Sequence, residues 1–183
     1  MKDSVQIAGA GLVGSLLALY LRRRGHPVQV YEGRPDARKT ELAGGRSINL
    51  ALSDRGLKAL DRVGLADKVL KTMAIPMYGR MMHDREGTLN YQAYGKDNQC
   101  INSVSRSGLN ALLMDEAEAA GAQITFEERC HGADYQRQAL FLENALTGKS
   151  TEATAEVSFG TDGAFSAVRQ SIMKTDRFNY SQH

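Results

Sequence analysis

Residues 5–32 constrain the fold more than any other part of the chain. A short apolar run, Val5–Ala8, reads as a buried strand, and Gly9, Gly11 and Gly14 follow it in a G-x-G-x-x-G spacing. Residues 12–24 then form an amphipathic run that Gly25 stops, with Pro27 just beyond. A second apolar run, 28–31, ends on Glu32. Strand, glycine turn, helix and strand in this order predict a βαβ unit carrying a dinucleotide fingerprint.

The spacing matters chemically. Gly9 permits the tight turn out of the strand, Gly11 lets backbone N–H groups approach a pyrophosphate, and Gly14 lets the helix pack close to the sheet. The helix N-terminus adds unpaired donors and the positive end of a dipole. Glu32 stands where a carboxylate can accept from the ribose hydroxyls of an adenosine, and its charge disfavours a 2′-phosphate there. The pattern therefore points to NAD or FAD rather than NADP, without separating the first two.

Other features mostly exclude. A chain of 183 residues suits one domain, or one domain and part of another. A net charge of +2 leaves no nucleic-acid footprint. No run reaches the length of a membrane-spanning helix, and the first strand begins too early for a signal peptide. Cys100 and Cys130 form no C-x-x-C and read as free thiols in a reducing cytoplasm. The four histidines show no metal-ligand spacing.

Further along, residues 33–45 read as a charged loop. Arg34 is either solvated there or placed beside the adenosine end of a ligand. Ser53 suits the N-cap of a helix running through Leu57, Leu60 and Val63. A short helix over 65–73 is expected next, ended by Pro76. Residues 78–84 and 89–94 flank Asp84-Arg85-Glu86-Gly87 and predict a hairpin, in which Arg80 and Tyr94 alone read as an exposed charge and an edge aromatic. Residues 101–104 predict a strand. Arg106 then opens a helix with an apolar stripe at Leu109, Leu112, Leu113, Met114, Ala117 and Ala120. Arg106 is either a plain charged residue of the first turn or, since a cation there opposes the dipole, placed for a reason outside the helix such as an anionic ligand. Residues 123–126 are expected as a parallel strand, and 130–135, 139–143 and 151–159 as antiparallel ones. Asp162-Gly163 marks a turn before a helix starting near Ser166.

Several of these segments together resemble the class A flavoprotein aromatic hydroxylases, within them the branch that hydroxylates L-kynurenine. The motifs that carry the resemblance are I-A-G-A-G-L-V-G-S-L, G-R-S-I-N-L-A-L-S-D-R-G, I-P-M-Y-G-R-M-M-H, A-Y-G-K-D-N, S-V-S-R-S-G-L-N and G-T-D-G-A-F-S-A-V-R, in fixed order along nearly the whole chain. The resemblance implies an α/β fold: a Rossmann-like FAD-binding domain over 1–74 and 101–183, incomplete, with 75–100 beginning an antiparallel substrate-domain sheet. It implies bound FAD contacted by Gly9, Gly11, Val13, Gly14, Tyr31, Glu32, Arg34, Ala51, Arg106, Cys130, Asp162 and Ala167. It implies that Arg80 and Tyr94 hold the carboxylate of an aromatic amino acid, as a guanidinium and a phenol can. NADPH is implied as a transient co-substrate and O2 as the oxidant. No catalytic acid or base and no metal is implied. Thr161 departs from the family, which usually has a small residue before the D-G pair. The chain is also less than half as long as such enzymes, so a cut sheet edge predicts self-association. The rival readings are an inactive FAD-domain fragment, a hydroxylase for another aromatic acid, and an NAD-dependent dehydrogenase, against which Asp162-Gly163 and Arg106 count.

Overall fold

The computed structural model describes residues 3–39 and 49–173. In chain order the elements are β1 (Val5–Ala8), α1 (Leu12–Arg23), β2 (Val28–Glu32), β3 (Asn49–Leu52), α2 (Asp54–Asp61), α3 (Ala66–Thr72), β4 (Ile75–Met77), β5 (Gly79–His83), β6 (Leu89–Ala93), β7 (Ile101–Ser105), α4 (Arg106–Ala119), β8 (Gln123–Phe126), β9 (Glu128–Asp134), β10 (Ala139–Asn144), β11 (Ser150–Thr154), β12 (Val157–Gly160) and α5 (Ala167–Met173). They divide into two compact units, residues 1–43 with 110–183, and residues 44–109. The motif residues 45–48 and the polar residues 174–183 lie outside the described residues.

The first unit is built on a parallel sheet of order β12-β1-β2-β8. β1 is buried along its whole length, as a central parallel strand must be. Its alternate residues serve two layers. Ala8 packs against Leu140 and Leu142 of the antiparallel meander β11-β10-β9. Gln6 also faces that meander, and its amide donates to Gln138 O, Ala153 O and Ser158 Oγ. Val5 and Ile7 therefore point to the opposite face, where α1 packs on β1 and β2 through fully buried Ala18 and Leu19. Burial of Leu19 alone contributes about 1.5–3 kcal/mol.

The run 151–159, expected as one antiparallel strand, is two. β11 pairs antiparallel with β10, then the chain leaves the meander and β12 pairs parallel with β1. Composition does not mark the break. It is made by distant partners: Gln138 Nε2 donates to Glu156 O, and the Ser4 amide donates to the Glu156 carboxylate.

In the second unit, β3 and β4 pair antiparallel with β7 on either side. Leu60, Val63, Leu65, Val69, Val104 and Leu109 are its buried apolar residues. Pro76 does not end a helix. α3 stops at Thr72, and Pro76 sits within β4 opposite Asn102, on an edge strand where a missing N–H is tolerated. β5 and β6 form the expected hairpin, with Met81, Leu89 and Tyr91 each more than half exposed.

Candidate nucleotide-binding site

The parallel strands β1 and β12 run side by side and end on glycine-containing turns. At the end of β1 the backbone is held from several directions. Gly9 adopts φ +97°, and its amide donates to Tyr31 O at 2.7 Å. The Ala10 amide donates to Glu32 Oε2 at 2.9 Å. The Ala10 carbonyl accepts from Ser15 Oγ at 3.0 Å and Asn110 Nδ2 at 3.1 Å. Thr161 Oγ1 lies 2.8 Å from both Ala8 O and Gly9 O.

Beyond Ala10 this holding stops. Gly11 is the N-cap of α1 with φ −72° and ψ −176°, and no side chain caps the helix. No acidic residue lies in its first turn. Among the described residues, the amides of the first turn are therefore unclaimed donors at the positive end of a helix dipole. The three glycines differ in their reasons. A Cβ on Gly14 would sit 1.9 Å from Gly9 O, and one on Gly9 would sit 2.7 Å from Thr161 O. A Cβ on Gly11 would meet nothing within 4 Å, and its backbone suits any residue. Packing demands Gly9 and Gly14, whereas at Gly11 the side-chain space is open. That open space over unclaimed amides fits a pyrophosphate.

Glu32 is 8% exposed. Besides the Ala10 amide, its carboxylate accepts from the Arg34 amide at 3.1 Å and from Arg34 Nε at 2.8 Å. Burial pushes its carboxyl up, but the hydrogen bonds from Arg34 and Ala10 outweigh that and hold it below its ordinary range. Glu32 thus fastens the glycine loop. Arg34 caps it with a largely exposed side chain. Val13, in the first turn of α1, is exposed.

Tyr31 and Cys130 lie elsewhere, half-buried against Ala8, Leu140 and Leu142 on the meander face. Burial, and secondarily the Glu128 charge, pushes the Tyr31 phenol up. Burial likewise raises the Cys130 thiol, which donates to Gly132 O. At the end of β12, Asp162 Oδ2 accepts from the amides of Ala167, at 2.7 Å, and Val168. Ser166 Oγ accepts from Arg169 N. The first-turn donors of α5, that of Ala167 included, are thereby used within the protein.

The remaining predicted residues belong to the second unit. Ala51 is exposed on β3, and Arg106 is the exposed first residue of α4. Arg80 stands opposite Gln92 in the hairpin, and the Tyr94 amide donates to Tyr78 O. With a period of two, Arg80, Gln92 and Tyr94 share one face. Arg80 Nε donates to Gln92 Oε1 at 2.8 Å, and its Nη groups have no hydrogen-bond partner among the described residues. Sequence reasoning did not pick out Ser15, Asn110 or the Thr161 hydroxyl. Two of them carried a signal: Ser15 and Asn110 are polar residues set into apolar helix stripes, and Ser15 is fully buried.

A glycine loop on β1, an uncapped α1 and an acid ending β2 define a dinucleotide-binding fold. The chain belongs to the FAD binding domain family, which it matches over residues 2–179. It is 51% identical over 183 residues to the kynurenine 3-monooxygenase of Myxococcus xanthus, covering 99% of this chain and 39% of that protein. It is 46% identical over 180 residues to the kynurenine 3-monooxygenase of Anopheles gambiae, covering 97% of this chain and 37% of that one. The chain thus spans about two-fifths of the length of these curated relatives. Among solved structures, a mutant of 2-methyl-3-hydroxypyridine-5-carboxylic acid oxygenase aligns with TM-score 0.71 and 28% identity, over 94% of this chain and 42% of that one. The flavin-dependent monooxygenase PieE, in complex with FAD and substrate, shares the fold with TM-score 0.75 at 20% identity, over 94% and 32% of the two chains. No helix among the described residues is long and apolar enough to cross a membrane.

Proposed function

We propose that this chain is the FAD-binding front part of an NADPH-dependent monooxygenase that hydroxylates L-kynurenine to 3-hydroxykynurenine. The observation that carries the FAD reading is the open space at Gly11 over the uncapped start of α1. The identity to kynurenine 3-monooxygenases along the whole chain supports the reaction. FAD, when bound, supplies hydride acceptance from NADPH and the activation of O2. The chain's own residues bind and orient. Gly9, Gly11, Val13 and Gly14 take the pyrophosphate, and Glu32 with Arg34 takes the ribose. Tyr31, Ala51, Arg106, Cys130, Asp162 and Ala167 complete the cofactor's surroundings. Arg80 and Tyr94, on one hairpin face, take the carboxylate of the aromatic amino acid, and residues 75–100 begin the substrate-domain sheet. Two free cysteines support a reducing compartment, the cytoplasm.

Two further readings have support. The likeness to a pyridine-carboxylate oxygenase favours a hydroxylase for another aromatic acid. The exposed Met81, Leu89 and Tyr91 favour a chain that self-associates and binds FAD without turnover. The test is NADPH oxidation by the purified, flavin-loaded protein with L-kynurenine and with 2-methyl-3-hydroxypyridine-5-carboxylic acid. Stimulation by kynurenine alone, lost in Arg80→Ala while the flavin spectrum stays, supports the proposal. Stimulation by the pyridine acid alone supports the second reading. A yellow protein that oxidises NADPH with neither acid and elutes as oligomers supports the third.

A further inference from the structure

Thr161 looks inconsequential in the sequence, a departure from the small residue usual before a D-G pair. In the structure its hydroxyl occupies the centre of the glycine loop. Its amide donates to Ala8 O at 2.8 Å, and Oγ1 lies 2.8 Å from Ala8 O and 2.8 Å from Gly9 O. A Cβ on Gly14 would lie 2.6 Å from the same hydroxyl, so Thr161 Oγ1 fills the space that this glycine leaves. Asn110, from α4, holds the next carbonyl, that of Ala10, together with Ser15. With the one Thr161 hydroxyl proton directed to Gly9 O, every backbone donor and acceptor of Gly9 and Ala10 is engaged by the protein, and among the described residues the first unclaimed amides are those at the start of α1.

We propose that Thr161 and Asn110 are positioning residues for the nucleotide loop. They keep the Gly9 and Ala10 carbonyls turned back into the protein, so that no carbonyl oxygen faces the anion and only amides do. A carbonyl swung outward would set a negative dipole against a pyrophosphate, while a buried one without a donor is penalised. The identity of the anion as FAD rests on the proposed function. The lock itself does not.

The test uses the whole 183-residue chain and three variants: Thr161→Val, which keeps the shape and removes the donor, Thr161→Ser, which keeps the hydroxyl, and Asn110→Ala. Amide hydrogen exchange is followed in the ligand-free protein, and FAD affinity by quenching of flavin fluorescence. Thr161→Val and Asn110→Ala are expected to exchange at Gly9 and Ala10 about tenfold faster, with β10 unchanged, and to bind FAD about tenfold more weakly, as for a buried carbonyl left without its donor. Thr161→Ser restores both to within about twofold. Unchanged exchange at Gly9 and Ala10 in Thr161→Val overturns the proposal. So does equal impairment in Val and Ser, because the hydroxyl that Ser retains would then not be what holds the loop. If the unaltered chain binds no FAD, the FAD reading falls, and the exchange result alone decides the lock.

Discussion

Two helices in the first unit start from glycine-containing turns at the ends of neighbouring parallel strands, and they are finished in opposite ways. At α5 the chain spends its own oxygens on the first-turn amides, through Asp162 Oδ2 and Ser166 Oγ. At α1 the capping position is Gly11, which has no side chain to spend. The surrounding oxygens and amides, those of Glu32, Ser15, Asn110 and Thr161, are used instead to fix Gly9 and Ala10. Being a helix N-terminus after a parallel strand does not make a binding site. A site arises where the protein satisfies the turn and leaves the helix amides for something else.

The comparison can be broken first at the glycines. Gly14→Ala places a methyl 1.9 Å from Gly9 O, a clash between backbone segments that no rotamer relieves. The ligand-free protein should lose about 3 kcal/mol of stability or fail to fold, read as a fallen thermal midpoint. Gly11→Ala meets nothing within 4 Å. Its ligand-free stability should fall by no more than about 1 kcal/mol, the effect of replacing a glycine N-cap by alanine. Its FAD affinity should fall about a hundredfold, or about 2.7 kcal/mol, because the methyl takes the pyrophosphate's space. Equal losses of stability in the two variants would erase the distinction between a glycine kept for packing and one kept for a ligand.

The comparison can be sharpened at Asp162. Asp162→Ala strips the α5 amides of Ala167 and Val168 of their acceptor and makes that terminus resemble α1. About 1–2 kcal/mol of stability should be lost. A thermal midpoint unmoved by this change would mean that α5 does not depend on its cap.

How much of this could be read in advance follows from the range of the interactions. β1, α1 and β2 were legible because one short window holds strand period, glycine spacing, helix stop and terminal acid. The hairpin was legible for the same reason, its turn and both strands being contiguous. The division of 151–159 into β11 and β12 was not. The partner that recruits β12 is β1, about 150 residues earlier, and no local residue announces it. The open space at Gly11 and the crowding at Gly14 were also illegible. Both are glycines in one motif, and only the positions of Gly9 O and Thr161 Oγ1 tell them apart. Thr161 falls in the same gap: its hydroxyl lies against carbonyls 153 and 152 residues away in sequence.

The smallest expected effect is the response of the α1 turn to acid, and it centres on Glu32. Its carboxyl sits below its ordinary value of 4.5 because hydrogen bonds from Arg34 and Ala10 overcome the effect of burial. A carboxylate whose folded value is depressed contributes stability that is complete above the unfolded value and lost as pH falls through the folded one. The lock on Ala10 should therefore hold at neutral pH and loosen below about pH 4.5, when a proton on Oε2 displaces the Ala10 amide. Asp36 is depressed as well, chiefly by Arg38, so the whole protein loses stability in acid and wild type alone cannot isolate Glu32. Glu32→Gln can. It keeps an oxygen for the Ala10 amide but has nothing to titrate. Its thermal midpoint should lie below that of wild type at neutral pH, and the gap should close as the pH falls from about 6 to about 3. Ala10 amide exchange should follow the same course. A gap that stays constant with pH would mean that the charge of Glu32 plays no part in holding the loop, and that the hydrogen bond to Ala10 alone does.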